Sequence, residues 1–520
     1  MFATDQALVD GVELYGAHGA AQELSAVGRV AGSAHALEQA RLAHVNPPIL
    51  RTHDRFGFRI DEVEYHPAWH ELMRNAVGFG AHATAWVDER PGAHVRRAAA
   101  AYIGAQLEAG HGCPISMTYA IVPALRHEPS LADRYESKLA SRIYDFGLRE
   151  PAAKDGLIAG MAMTEKQGGS DVRANTTRAV PAADGTYLLT GHKWFCSAPM
   201  SDLFLVLAQA PGGLTCFLLP RVLPDGTRNT FRIQRLKDKL GNRSNASSEV
   251  EFEDTVAWPV GEEGRGVPTI IEMVQMTRLD CVIGSAGLMR GAYVQAAHHA
   301  RHRSAFGARL WDQPAMRAVL ADLRIEVWAA LEVGLRLAKA VDDNDVAFGR
   351  LATAVAKFWV CKRAPMVAAE ALECLGGNGY VEDSGMPRLY REAPLNSIWE
   401  GSGNVIALDT LRAMAKQPSS LAAFLEELSL GKGADPRLDA ATQRLEKELL
   451  GLRGLDPDAL QAGARRLTSL MAVCLQGALL ARHAPAAIAD AFCATRLDGE
   501  WGGVFGALPS GLDHTAILRQ

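Results

Sequence analysis

Three polar, glycine-containing segments carry the side chains with which this 520-residue chain could do chemistry. The first, MTEKQGGSDV at positions 163–172, combines the hydroxyls of Thr164 and Ser170 with two adjacent glycines. Glycines let a ligand approach the backbone closely, and hydroxyls with backbone N–H groups supply neutral donors, so the segment suits a flavin ring or a pyrophosphate. A polar surface loop at the start of a β domain is the alternative interpretation.

The second segment, RHRSAFGARLWDQPAM at positions 301–316, concentrates positive charge beside an aromatic ring. Arg301, Arg303 and Arg309 surround Phe306. A guanidinium can pair with a phosphate while the ring covers a neighbouring heterocycle. The alternative is a solvated helix end followed by its loop.

The third segment, ECLGGNGYVEDSGMPRLYREAPLNSIWEGSGNV at positions 373–405, contains a candidate base. Its glycines at 376, 377 and 379 are expected to interrupt a helix, and Glu400 follows Ile398 and Trp399. Apolar neighbours would raise the pKa of Glu400, as a base that removes a weakly acidic C–H proton requires. An exposed or ion-paired glutamate is the alternative.

The surrounding sequence predicts the elements that must position these segments. Helical periodicity runs from about 69 to 157, short apolar runs separated by ADG, PGG and PDG turns follow, and long amphipathic helices return after 261. We therefore predict an α+β, mostly α protein with an N-terminal extension and helical domain (1–160), a β-barrel or sandwich domain (161–260), a C-terminal four-helix bundle (261–415) and an additional C-terminal helical region (416–520). A chain of this length exceeds the size of a single core.

Composition narrows the class of protein. A net charge of −5 gives no general attraction to nucleic acid or to anionic lipid. The N-terminus lacks a signal-peptide pattern, and no run of eighteen apolar residues occurs, so we expect a cytoplasmic protein without a membrane span. The eight cysteines lie far apart without a CxxC pair, which indicates free thiols and no metal site.

The order of these motifs resembles the acyl-CoA dehydrogenase flavoprotein family. TExxxGSD opens a β domain, and RxxFG and GGxGY…EG lie in the helical domain after it, so the match covers about positions 65–415. MTEKQGGSDV, GHKWFCS, KDKLGNRSNAS, LGGNGY and SIWEGSGN resemble the AidB-like subfamily, which is linked to the alkylation response.

The resemblance implies an FAD site shared between the subunits of a homo-oligomer, most often a tetramer. Thr164 and Ser170 take the places that contact flavin and phosphates, with backbone help from Met161 and Met163, and Phe195 and Ser197 stand where the family has W-I-T. The remaining places fall on Arg303, Phe306 and Gln313, which reach the FAD of a neighbouring subunit, and on Gly377, Ser402 and Asn404 at the pyrophosphate and adenosine end. Electron-transfer flavoprotein is the family's electron-accepting partner.

Glu400 falls on the family's catalytic glutamate. By analogy it removes the α-proton of an acyl-CoA thioester while hydride passes to flavin N5, and the Glu400 N–H with a flavin ribityl hydroxyl polarises the carbonyl. Some relatives carry the base just before an arginine in the stretch that matches QMTRLDC. Thr277 occupies that position here, and Asp280, one helical turn further, is the alternative base.

Three functional interpretations stay open at this stage. One is dehydrogenation of a short or branched acyl-CoA, another is duplex DNA binding in the alkylation-damage response, and a third is an acyl-CoA oxidase. Residues 415–520 contain eleven Lys and Arg against twelve Asp and Glu, so a DNA-binding face would depend on a local group such as Arg465, Arg466 and Arg482.

Overall fold

The computed structural model describes residues 1–499 and 503–520. The chain forms two compact units. The first comprises Met1–Arg29, His94–Gln106 and Arg278–Gln520, and the second comprises Val30–Ala93 and Leu107–Thr277.

The described residues are mainly helical. The α-helices, in chain order, are α1 (Gln6–Leu14), α2 (Ala21–Ala31), α3 (Ala34–Val45), α4 (Pro67–Gly78), α5 (Ala93–Leu107), α6 (Gly112–Leu125), α7 (Pro129–Leu139), α8 (Gly266–His302), α9 (Pro314–Asp342), α10 (Val346–Glu373), α11 (Met386–Glu392), α12 (Gly403–Lys416), α13 (Pro418–Ser429), α14 (Pro436–Gly451), α15 (Pro457–His483), α16 (Ala486–Phe492) and α17 (His514–Arg519). The strands are β1 (Ile49–His53), β2 (Arg59–Glu64), β3 (Ala159–Ala162), β4 (Arg178–Pro181), β5 (Tyr187–Ser197), β6 (Leu203–Ala210), β7 (Gly213–Pro220), β8 (Arg232–Leu236), β9 (Ser247–Val260), β10 (Ser304–Ala305) and β11 (Ala308–Arg309).

The first unit is a helical bundle in which α9, α10, α12, α13 and α15 pack against one another. Helix α9 begins with Pro314 in its first turn, because proline fits a position whose N–H has no helical acceptor. Asp345 caps α10 by accepting a hydrogen bond from the Phe348 N–H. That helix ends at Glu373, shortly before the glycines that were predicted to interrupt it.

The second unit contains a seven-stranded sheet that closes on itself. Its main order is β3-β6-β4-β5-β9-β7, β8 pairs with β9, and β7 also pairs with β6, so strands β6, β4, β5, β9 and β7 form a ring. Residues 203–208 of β6 are all buried, which explains why this stretch is continuously apolar. The predicted α+β, mostly helical fold with a central β-barrel is therefore confirmed.

One predicted element is wrong. Helical periodicity suggested helix up to about residue 157, but α7 ends at Leu139 and no α-helix covers residues 140–158. Gly147 adopts φ 112°, and Pro151 and Gly156 also lie in this stretch, so the backbone cannot continue a helix there. The four-domain division of the sequence stays a prediction.

Two further sequence expectations concern membrane helices and cysteines. Among the described residues, no helix combines the length and apolar character that crossing a membrane needs. All eight cysteines are buried and unbridged.

Buried carboxylates in both units make the fold sensitive to acid. Burial alone would raise the pKa of Glu326, but Arg363 and Arg496 lower it to about 2. His111 and Ser244 likewise overcome burial at Glu108 and lower its pKa to about 2. Both carboxyls have an ordinary value of 4.5, so their contribution to folding is complete above pH 4.5 and is lost as the pH falls from there toward 2. We expect the free energy of unfolding to fall by about 1 kcal/mol or more per pH unit between pH 5 and pH 3. The denaturant midpoint should fall with it. A midpoint that is flat over this range would contradict the prediction.

Candidate active site

Glu165 organises the first segment of the predicted site, in the second unit. Its side chain is fully buried, and Oε1 accepts a hydrogen bond from Lys193 Nζ at 2.8 Å. Oε2 accepts from the N–H of Thr176 at 2.7 Å and from its Oγ1 at 2.9 Å. Burial opposes ionisation, but the Lys193 ammonium and these hydrogen bonds outweigh it and hold the pKa of Glu165 well below its ordinary value. A stable internal anion therefore fixes the loop that follows β3.

The same loop presents its polar atoms next to β5. The Trp194 N–H donates to the Thr164 carbonyl at 2.8 Å, and Asn175 Nδ2 donates to the Met163 carbonyl at 3.0 Å. Thr164 is half-buried, whereas Ser170 and Phe195 are exposed and Met161 is buried inside β3. The structure thus brings Met163 and Thr164 beside the start of the Phe195–Ser197 stretch.

Gly168 and Gly169 have separate structural reasons to be glycine. Gly168 adopts φ 148°, a conformation that other residues rarely take. A Cβ on Gly169 would overlap the Thr164 hydroxyl. A side chain at 169 would therefore close the hydroxyl-lined cradle, and this cradle fits a flavin that needs close backbone approach.

Lys237, which the sequence interpretation did not include, stands over the aromatic pair of β5. Its Nζ lies 3.8 Å from the Trp194 ring centroid and 4.5 Å from the Phe195 ring centroid. It also donates to Glu249 Oε1 at 2.7 Å. Phe195 replaces the family's tryptophan. The cation that lies against its ring could not be predicted from the residue type alone.

The second segment forms a tight hairpin in the first unit. Strands β10 and β11 pair Ser304 with Arg309, and the hairpin tip places Phe306 at φ 52° with 98% of its surface exposed. Gln313 Nε2 donates to the Ala305 carbonyl at 2.9 Å. The hairpin therefore gathers Arg303, Phe306 and Gln313, and it holds an apolar ring in a strained and fully exposed position, which is a mark of functional sites.

Glu400 lies in the loop before α12, also in the first unit, and its backbone is unusual. It adopts φ 58°, and Gly401 follows with φ 111°. A Cβ on Gly401 would be strained by this φ and would lie 2.8 Å from Ile406 Cδ1, so glycine is favoured there. The Glu400 side chain is half-buried. Left-handed φ values cost about 1–3 kcal/mol in a residue other than glycine, so the loop must be held by other contacts.

Two buried cations hold this loop, and sequence reasoning missed both. Arg278 Nε donates to the Glu400 carbonyl at 2.9 Å. Lys357 Nζ donates to the Trp399 carbonyl at 2.8 Å and also to the Gly401 carbonyl. Their positions, 122 and 43 residues before Glu400, give no local sequence signal, because the contacts depend on how α8 and α10 pack.

Arg278 has its charge compensated on the side away from the loop. Its Nη1 donates to Asp409 Oδ2 at 2.8 Å, and Arg350 Nη2 donates to Asp409 Oδ1 at 2.9 Å. Burial would raise the pKa of Asp409, but the two guanidinium groups lower it below its ordinary value. The Arg278 side chain is thus fixed at both ends of its guanidinium.

Asp280, the alternative base, is engaged elsewhere. Both of its carboxylate oxygens accept hydrogen bonds from the buried Arg97, one of them at 2.6 Å. Thr277 is buried, and its hydroxyl donates to the Val274 carbonyl at 3.1 Å. The Asp280 carboxylate is therefore held in an ion pair with Arg97.

The remaining cofactor candidates lie around the start of α12 and after α10. Ser402 occupies the N-cap position of α12, Asn404 is in its first turn, and both are exposed. Gly377 is exposed in the 3₁₀ turn Gly376–Tyr380. A Cβ on Gly403 would lie 2.7 Å from Lys362 Nζ and 2.9 Å from Arg465 Nη2, so two cations stand at the positive end of this helix. Such an arrangement suits the phosphates of a dinucleotide.

Three comparisons with known proteins agree on the family. The AidB N-terminal domain matches residues 1–146, the acyl-CoA dehydrogenase middle domain matches 160–255, and the acyl-CoA dehydrogenase C-terminal domain matches 264–415. AidB of Escherichia coli (strain K12), whose name classes it with the acyl-CoA dehydrogenases, is 46% identical over all of this chain and 95% of its own length. The chain belongs to the acyl-CoA dehydrogenase family.

Other members of this family extend the comparison. Acyl-CoA dehydrogenase family member 11 of Caenorhabditis elegans is 32% identical over 85% of this chain and 77% of its own length. The crystal structure of Caenorhabditis elegans ACDH-11 in complex with C11-CoA has a TM-score of 0.84 and 28% identity, covering 92% of this chain and 87% of the other. The family consists of FAD flavoproteins that oxidise CH–CH bonds, and its AidB-like branch accounts for the N-terminal match.

The arginines proposed as a DNA-binding face do not act together. Arg466 is paired with Glu448, Arg482 donates to Glu427 at 2.7 Å, and Arg465 stands at the start of α12. Because two of the three charges are paired within the protein, the structure does not favour DNA binding through this group.

Proposed function

We propose that this protein is an FAD-dependent dehydrogenase that introduces an α,β double bond into an acyl-CoA thioester, with a short or branched acyl chain as its substrate class. The observation that carries the proposal is Glu400, a half-buried carboxylate on a strained loop that two buried cations hold. Asp280, which could otherwise take its role, is bound by Arg97.

Three groups of residues would hold FAD. The Thr164–Gly169 cradle and Ser170, with Phe195 and Ser197 on β5, would hold the flavin and its first phosphate. Ser402, Asn404 and Gly377 would hold the pyrophosphate and adenosine end. The hairpin with Arg303, Phe306 and Gln313 would reach the FAD of a neighbouring subunit, and this arrangement makes a homo-oligomer, with a tetramer as the expected form, part of the proposal.

The chain's own groups account for the proton. The Glu400 carboxylate would take the α-proton of the thioester, and the Glu400 N–H would donate to the thioester carbonyl and so stabilise the negative charge that develops there. Bound FAD supplies the acceptor for the hydride that leaves the β-carbon. The substrate then loses one proton and one hydride, and the enoyl thioester is the product.

Anaerobic titration of the FAD-loaded protein with a panel of acyl-CoA thioesters tests this function. We expect the oxidised-flavin absorption band to bleach with at least one short or branched substrate, because proton and hydride loss are coupled. An intact band across the whole panel would refute the proposal. Steady peroxide production during turnover in oxygen would identify an oxidase instead, and transfer to electron-transfer flavoprotein would identify the expected acceptor.

The cytoplasmic location stays a prediction. We do not propose duplex DNA as a partner, because Arg466 and Arg482 have carboxylate partners.

A further inference from the structure

The buried ammonium group of Lys357 donates its hydrogen bonds to backbone carbonyls. It lies near the middle of α10, and only 1% of its surface is exposed. Its Nζ donates to the carbonyls of Trp399 and Gly401, the residues on either side of Glu400. Within residues 1–499 and 503–520, it forms no salt bridge with a carboxylate. A buried charge compensated only by carbonyls is costly, which suggests that the charge itself has a use.

The contact fixes the direction of the Glu400 N–H. The peptide bond between Trp399 and Glu400 is trans, so its carbonyl and its N–H point in opposite directions. With the Trp399 carbonyl directed at Lys357 Nζ, the Glu400 N–H is directed away from α10. A cation at the carbonyl also polarises the amide and makes its N–H a stronger donor.

The neighbouring peptides are restrained in the same way. Arg278 Nε holds the Glu400 carbonyl, and Lys357 Nζ holds the Gly401 carbonyl in addition to that of Trp399. Three successive carbonyls therefore accept hydrogen bonds from two buried cations. This explains how Glu400 keeps φ at 58°.

We propose that Lys357 is a positioning residue that aims and polarises the Glu400 N–H toward the thioester carbonyl. The inference rests on the proposed function, and it separates the two tasks of Glu400. The carboxylate takes the proton, and the N–H, under the control of Lys357, stabilises the oxygen.

The test compares Lys357→Met with Lys357→Gln, which keeps a donor but removes the charge. We expect Lys357→Met to lower kcat about 10- to 100-fold, less than the loss of a direct oxyanion donor, with KM changed less than about 3-fold. Lys357→Gln is expected to lie between the wild type and Lys357→Met. Lys154→Met is the control for loss of a buried ammonium as such, because Lys154 is also buried and lies in the other unit, where it is paired with Asp202.

A second readout does not depend on turnover. Difference infrared spectroscopy of a bound 2-enoyl-CoA with a ¹³C-labelled carbonyl reports polarisation of the C=O bond. We expect the carbonyl stretching frequency to fall when the ligand binds to the wild type or to the Lys154→Met control. In Lys357→Met this shift should be less than half of the wild-type shift.

The outcomes distinguish the inference from the function. If the wild type oxidises acyl-CoA while Lys357→Met keeps its kcat and its carbonyl shift, Lys357 has no positioning role. Equal losses of kcat in Lys357→Met and Lys154→Met, with unchanged carbonyl shifts, would show a purely structural role and also overturn the inference. A wild type that neither oxidises nor binds any thioester would overturn the proposed function, and this inference with it. Should Lys357→Met fail to fold, the Lys357→Gln carbonyl shift decides.

Discussion

Glu400→Gln is expected to leave FAD bound and to slow flavin reduction by acyl-CoA about 10²–10⁴-fold, the range that removal of a general base gives. Glutamine has nearly the shape of glutamate but cannot accept the α-proton. The backbone N–H at position 400 stays in place because Arg278 and Lys357 hold carbonyls rather than the Glu400 side chain. Stopped-flow reduction under anaerobic conditions measures the rate, and the flavin-to-protein ratio measures cofactor retention.

Two variants show whether the loss is specific. Glu400→Asp keeps the charge but shortens its reach, so we expect intermediate rates. Asp280→Asn weakens the ion pair with Arg97, so we expect lower stability. The rate of flavin reduction per bound flavin should stay within about 3-fold of the wild type, because a substitution away from the reacting atoms changes transition-state stabilisation little. Retained reduction in Glu400→Gln together with its loss in a folded Asp280→Asn would assign the base to Asp280.

Lys193→Met is expected to have the largest effect on stability, about 3–5 kcal/mol, because it leaves the Glu165 carboxylate fully buried without its cation. Denaturant unfolding of the FAD-free protein measures the change. The pKa of Glu165 should rise in this variant, since burial favours the neutral form once the ammonium is gone. The gap in stability between wild type and variant should therefore narrow as the pH falls below 4.5.

A double-mutant cycle separates the ion pair from packing. Glu165→Gln with Lys193→Met removes both charges, so we expect the double variant to be more stable than Lys193→Met alone. Arg51→Met is the matched surface control, because its partner Glu64 is exposed and such pairs contribute about 0–1 kcal/mol. A Lys193→Met variant no less stable than the Arg51→Met control would contradict the role of Glu165 as the anchor of the loop.

The sequence by itself determined the motifs, the fold class and the candidate base. Glycines in the sequence indicate local limits on the backbone, as at Gly401, where φ 111° would strain any other residue. The order of the three segments along the chain carried the family resemblance, which the comparisons confirmed. Helical periodicity was misleading after Leu139, where α7 ends and where Gly147 and Pro151 keep the following stretch out of a helix.

Only the tertiary structure decided which distant side chains act on these motifs. Lys357 reaches the Glu400 loop from α10, Arg278 reaches it from α8, and Lys237 meets the β5 aromatics from the chain after β8. The tertiary structure also showed that Arg97 donates a hydrogen bond to Asp280, which composition and spacing could not reveal. A local motif is fixed by backbone geometry within a few residues, whereas these partners are fixed by packing between elements far apart in the chain.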